Sequence, residues 1–123
     1  MKLNFDKLSG ERIITGYGDD FIEIDRIKHS QNLLILPASM EPNWAAGGLA
    51  GLNADLLEPV VGAQPEIFLL ATGTQQRFPD LSIFRPLMKA HIGFEVMTLG
   101  AACRTYNILI AENRKVAVGV LFS

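Results

Sequence analysis

The chain has 123 residues, 49% hydrophobic and 20% charged, with a formal net charge of −2. That balance excludes a disordered chain, and the length suffices for one domain, residues 1–123, with a core of its own. The slight acidity and the scatter of Lys and Arg, with no basic run longer than Arg114-Lys115, exclude an ordinary nucleic-acid surface.

Residues 1–12 read as a polar lead-in whose Leu3, Phe5 and Leu8 can dock on the body. The N-terminus has no apolar signal core, and Asp6 is unlike an acid-poor transit peptide, so a cytoplasmic protein is expected. Residues 13–17 form a short β segment. Residues 21–24 and 27–30, parted by Asp25-Arg26, predict a hairpin with a tight turn. A buried strand follows at 33–36, ended by Pro37. From 37 to 54, Pro37, Pro42, Gly47, Gly48 and Gly51 break every period, while Trp44 and Leu49 need apolar cover. The reading there is an adaptable loop. Its glycines lack the Lys-Ser/Thr ending of a P-loop and the strand before a dinucleotide fingerprint.

Asn53 or Asp55 is placed to cap a short helix over 55–61, with Leu56, Leu57, Val60 and Val61 at helical spacing and Pro59 limiting its length. The fold is organised around the next segment, 67–71. Ile67, Phe68, Leu69, Leu70 and Ala71 are continuously apolar, so a strand there is covered on both faces. Asp80 or Ser82 then opens a helix to about residue 91, with Ile83, Phe84, Leu87 and Met88 as its stripe, Pro86 tolerated early and Gly93 ending it. Residues 93–97 form a strand. Thr98 caps a helix over 99–112 that turns Ala101, Ala102, Tyr106, Ile108 and Leu109 inward, leaves Arg104 and Glu112 to solvent, and is closed by Asn113. The last strand, 116–122, is apolar on both faces and belongs inside the sheet. From residue 66 onward the order is strand, helix, strand, helix, strand, a layered α/β arrangement.

Few side chains suggest chemistry. Cys103 is the lone thiol, so no internal disulfide forms. It sits among Ala101, Ala102 and Tyr106, where a cysteine usually acts as a small apolar residue. His29 and His91 have no ligand spacing, and neither a metal nor another cofactor is expected. Glu95, between Phe94 and Val96, reads as a covered acid, paired with Arg104 or Arg77 or else perturbed in a crevice. Asn107 should tie its amide to a neighbouring loop. The loop 72–77 leaves the carboxyl end of the key strand, where open α/β sheets bind ligands. Thr72, Gly73, Thr74 and Arg77, with Thr98 at the helix start, are the candidate ligand-binding residues there.

Pro65-Glu66-Ile67, Thr72-Gly73, Gly93-Phe94-Glu95-Val96-Met97, the run from Gly100 to Leu109 and Val116-Ala117-Val118 together resemble a known family. It is a small α/β family first defined by a methanogen protein of unknown function. It includes bacterial proteins of unknown function and a mitochondrial relative that helps assemble respiratory complex I. The resemblance implies a three-layer α/β fold, with a mixed central sheet whose C-terminal strand is interior and antiparallel to its neighbours, plus the N-terminal β-hairpin. Ala71-Thr72-Gly73 departs from the family's Gly-Thr-Gly. Thr98-Leu99 departs from its Asp-Thr, which removes a carboxylate from the sheet's crevice. The family implies no established catalytic residues.

Two functions follow. The first is a non-enzymatic protein-binding or assembly module, possible in respiratory complex I assembly by resemblance, with a protein partner and no integral membrane segment. The second is a small-molecule binder or unrecognised enzyme using the 72–77 loop and the Thr98 helix start. The residues alone favour binding over turnover.

Overall fold

In the computed structural model, residues 12–122 are described; the expected docking of Leu3, Phe5 and Leu8 lies outside them. Three short strands come first: β1 (Ile14–Tyr17), β2 (Ile22–Ile24) and β3 (Ile27–His29), an antiparallel sheet in the order β1-β2-β3. Asp25 and Arg26, at φ 48° and 69°, form the expected tight turn. Two successive positive values suit a two-residue hairpin because their twist matches that of the strands. The turn is fastened to β1, with the Arg26 N–H donating to Thr15 Oγ1 at 2.9 Å and the Ile13 N–H to Asp25 Oδ1 at 3.1 Å.

The main sheet holds β4 (Leu33–Ile35), β5 (Met40–Pro42), β6 (Ile67–Ala71), β7 (Gly93–Met97) and β8 (Val116–Val120), in the order β5-β4-β8-β6-β7. The C-terminal strand is interior, as its two-faced apolarity requires. It is antiparallel to β4 but parallel to β6, which corrects the expectation that it opposes both neighbours. The reason is the connection. β8 follows a helical crossover, α3 (Leu99–Ala111), and such a crossover returns the chain in its original direction.

Alternation along the strands sends side chains to two cores. Leu69, Ala71, Val116 and Val118 meet Ala102, Cys103, Tyr106 and Ile110 of α3 together with Ile14, Ile22 and Ile24 of the small sheet. Phe68, Leu70 and Ala117 meet Leu57, Val60, Phe84 and Leu87 on the other face. The result is a mixed α/β fold in three layers.

Three helix expectations are corrected. Asn53 caps a 3₁₀ turn, Ala54–Leu57, which runs into α1 (Glu58–Ala63); the helical run starts earlier and ends later than expected because Pro59 falls in the first turn of α1, where no N–H is needed. The segment after Asp80 is a 3₁₀ turn, Leu81–Phe84, followed by a short α2 (Arg85–Lys89) that Pro86 begins and does not kink. Met88 is exposed, and His91, at φ 59°, turns the chain before Gly93 opens β7. On α3 the buried stripe is Leu99, Ala102, Cys103, Tyr106, Asn107 and Ile110, so Ile108 faces solvent. That stripe keeps the helical period, and Ile108 lies off it.

The segment 37–54 is more ordered than its composition implies. It contains β5, and its Trp44 is buried with Nε1 donating to the Leu56 carbonyl at 2.8 Å. The indole lies against Gly119 of β8, where a Cβ would come within 2.7 Å of it and 3.0 Å of Phe68. Glycine is required there for lack of space.

Asn107 joins α3 to the small sheet. Its Oδ1 accepts the Ile14 N–H at 3.0 Å and its Nδ2 donates to the Ile14 carbonyl at 2.7 Å, so its partner is a strand and not the loop expected. The pairing copies one rung of a β ladder. Asn107→Leu leaves both Ile14 groups unpaired in the core and is expected to cost about 2–4 kcal/mol. Urea unfolding checks this; an unchanged midpoint would show that the bonds are dispensable.

Candidate functional site

The chain leaves β6 for α2 on one face of the sheet and leaves β7 for α3 on the other. Two adjacent strands whose exits diverge open a crevice between their carboxyl ends, the usual ligand position in such sheets. A crevice of about 400 Å³ lies there. Gly73 and Thr74 form one wall, Thr98, Leu99 and Gly100 another, and Tyr17, Gly18 and Asp19 of the small sheet close it.

Most polar groups around it serve the protein itself. Thr72 is buried, with its hydroxyl donating to the Gln75 carbonyl at 2.6 Å and accepting the Arg77 N–H at 3.0 Å. Its own N–H goes to the Met97 carbonyl at 2.9 Å, which ties the exit of β6 to β7. Gly73, at φ 79°, adopts a backbone that favours glycine, and its carbonyl accepts the Leu99 N–H at 2.7 Å. Thr98 caps α3 as expected, Oγ1 accepting the Ala101 N–H at 3.3 Å. The first turn of α3 thus spends N–H groups on its own cap and loop.

Of the candidate ligand residues, Gly73, Thr74 and Thr98 line the crevice, Thr72 turns inward beneath it, and Arg77 lies outside the lining. Among the described residues no Lys or Arg lines the crevice and Asp19 does, with Arg104 behind the lining, its Nη1 2.9 Å from Tyr17 Oη. A cationic or neutral group there meets no like charge from Asp19, whereas an anion does. Asp19 was not singled out in the sequence. Its turn lies more than fifty residues from Gly73, and no local spacing links them.

Glu95 is exposed, correcting the covered acid expected. β7 is an edge strand, and α3 packs over β6 and β8, leaving the Glu95 side of β7 open. Arg104 donates instead to Tyr17 Oη at 2.9 Å. Cys103 is fully buried, and burial pushes its thiol up to about 12 against a weak opposing pull from Arg104. It is a neutral core group at pH 7. Among the described residues no cluster of three or more His, Cys, Asp and Glu could hold a metal ion, and no helix is long and apolar enough to cross a membrane.

The sequence profile of a family described as proteins of unknown function, DUF498/DUF598, matches residues 14–121. The chain belongs to this family. Over 117 residues it is 28% identical to NADH dehydrogenase [ubiquinone] 1 alpha subcomplex assembly factor 3 of Drosophila melanogaster, covering 89% of this chain and 58% of that protein. Over 61 residues it is 39% identical to a 13 kDa major membrane protein of Francisella tularensis, covering 50% of each. The chain thus spans about half the length of these curated relatives. A Bordetella parapertussis crystal structure superposes with a TM-score of 0.83 at 35% identity, covering 94% of this chain and 98% of that one. A Bordetella pertussis solution structure, described as a Mth938-like domain, gives 0.79 at 31% identity over 98% and 92%.

Two outcomes are expected from this geometry. Thr72→Val strands the Arg77 N–H and should cost about 1–3 kcal/mol, with faster amide exchange through 72–77. Native-like stability in urea would show that the hydroxyl is free for other work. Cys103 should resist iodoacetamide at pH 8 until urea unfolds the chain, because the reagent needs an accessible thiolate. Rapid labelling of the native protein would contradict its buried, neutral state.

Proposed function

We propose that the protein is a non-enzymatic binding module that assists assembly of a larger complex, with respiratory complex I as the candidate client. One observation carries this reading: the match to a complex I assembly factor runs over 89% of the chain. The crevice adds support, because Thr72, Gly73 and the first turn of α3 spend their hydrogen bonds on the protein itself. A cytoplasmic protein in this role would meet client subunits before or at the membrane. Deleting the gene in its host and resolving respiratory complexes on native gels is the direct test. Loss of mature complex I with accumulation of smaller assemblies, reversed by the restored gene, is expected. Normal assembly in the deletion strain would end this reading.

The crevice of about 400 Å³ at the diverging strand exits favours a second reading, a small-molecule binder or enzyme acting through Gly73, Thr74 and Thr98, with Thr72 and Arg77 shaping the loop. A metabolite retained in native mass spectrometry, and lost on Thr74→Val or Thr98→Val, would move the conclusion there.

A further inference from the structure

β7 ends the main sheet, and among the described residues no strand pairs with its outer side. Its ladder with β6 determines which backbone groups face outward. The Gly93 N–H donates to the Glu66 carbonyl at 3.2 Å, and the Met97 carbonyl accepts the Thr72 N–H at 2.9 Å. Residues 93, 95 and 97 therefore bond inward, and the N–H and C=O groups of Phe94 and Val96 point away from the sheet. Gln76 Nε2 meets the outward Val96 carbonyl at 2.8 Å, standing where the N–H of another strand would stand.

The two faces of this edge differ. On one, a groove of about 450 Å³ runs along Phe94, with Phe78 and Leu81 beside it at 63% and 59% exposure. Apolar side chains that open to water are uncommon beside an unpaired strand unless something covers them. Glu95 borders the groove too, but strand alternation, with Glu95 opposite Leu69 and Phe94 opposite Phe68, sends its exposed carboxylate to the other face. The opposite edge of the sheet is β5, three residues long and closed to further pairing by Pro42.

We propose that the β7 edge receives an extended segment of a partner protein as an added strand, one in which a Lys or Arg lies between two apolar residues. The proposal rests on the binding-module reading and deepens it. Side chains directly opposite in paired strands share a face, so the residue across from Glu95 sits beside its carboxylate and is best cationic. Its two neighbours fall on the other face, against Phe94, Phe78 and Leu81. The main-chain bonds supply affinity and the alternating side chains supply selection. The same charge works against a second copy of this chain. An antiparallel self-pairing that uses the outward groups of both strands sets Phe94 against Val96 of the other copy, and Glu95 against Glu95. Like charges directly opposite destabilise a strand pair.

The probes are two capped peptides, Thr-Val-Lys-Val-Thr and the same sequence with Glu for Lys, titrated into the ¹⁵N-labelled full chain. The Lys peptide should shift the Phe94 and Val96 amides, slow their exchange, move the Gln76 side-chain signal, and bind on the order of fivefold tighter than the Glu peptide. Glu95→Lys, an exposed substitution whose fold is checked by circular dichroism, should reverse the preference. The proposal is overturned if neither peptide binds at millimolar concentration, if the shifts map elsewhere, or if Glu95→Lys leaves the preference unchanged. Phe94 and Val96 amides already protected in the free chain would overturn it too, whether a second copy or another part of the chain fills the edge. A deletion strain fully rescued by Glu95→Lys would sink the edge proposal while leaving the assembly reading standing. Normal assembly in that strain without any gene would sink the assembly reading.

Discussion

The architecture depends on keeping water from both faces of β8. Every residue of Val116–Val120 is buried, and Leu121 beyond it is buried as well. Each buried valine or leucine there is worth about 1.5–3 kcal/mol when removed from water, so the strand needs a full layer above and below it. α3 with the small sheet supplies one layer, and the 3₁₀ turns with α1 and α2 supply the other. Trp44 over Gly119 shows how tight the second layer is, since even one methyl group has no room there. Glu66 fastens the start of the arrangement by accepting from the Lys115 N–H and from Arg114 Nε. Those bonds hold its carboxyl below the usual range.

Segments governed by local pattern were legible in the sequence. The runs of β6 and β8, the Asp25-Arg26 turn, the Thr98 cap and the Asn113 closure all rest on neighbours within a few residues. Features decided at a distance were not. β5 pairs through three residues that include a proline, and nothing in Met40-Glu41-Pro42 announces a strand. Glu95 reads as covered because its neighbours are apolar, yet exposure depends on β7 being the outermost strand, which is a property of sheet order. The candidate site was half legible for the same reason. Gly73, Thr74 and Thr98 follow from the rule that ligands gather at strand carboxyl ends, whereas Tyr17, Gly18 and Asp19 reach it only through the docking of a separate sheet.

Thr72, Gly73 and Thr98 hold an interior junction together more than they present chemistry to solvent. Thr72 knits the exits of β6 and β7, and Gly73 receives the first N–H of α3. Core matches to the family carry fold more securely than they carry activity.

Among the described residues the small sheet shares no ladder with the large one. It is attached through Asn107 to Ile14, Tyr106 to the Arg12 carbonyl, Arg104 to Tyr17, and the burial of Ile14, Ile22 and Ile24. These bonds join residues 87 to 94 positions apart. The Leu33 to Val120 pairing of the main sheet closes a loop of like span, so both sheets carry the entropy cost of long-range closure. Ile14, Ile22 and Ile24 lie in one buried cluster with Leu99, Cys103 and Ile110, so α3 is the shared wall through which a substitution on its buried face reaches both sheets.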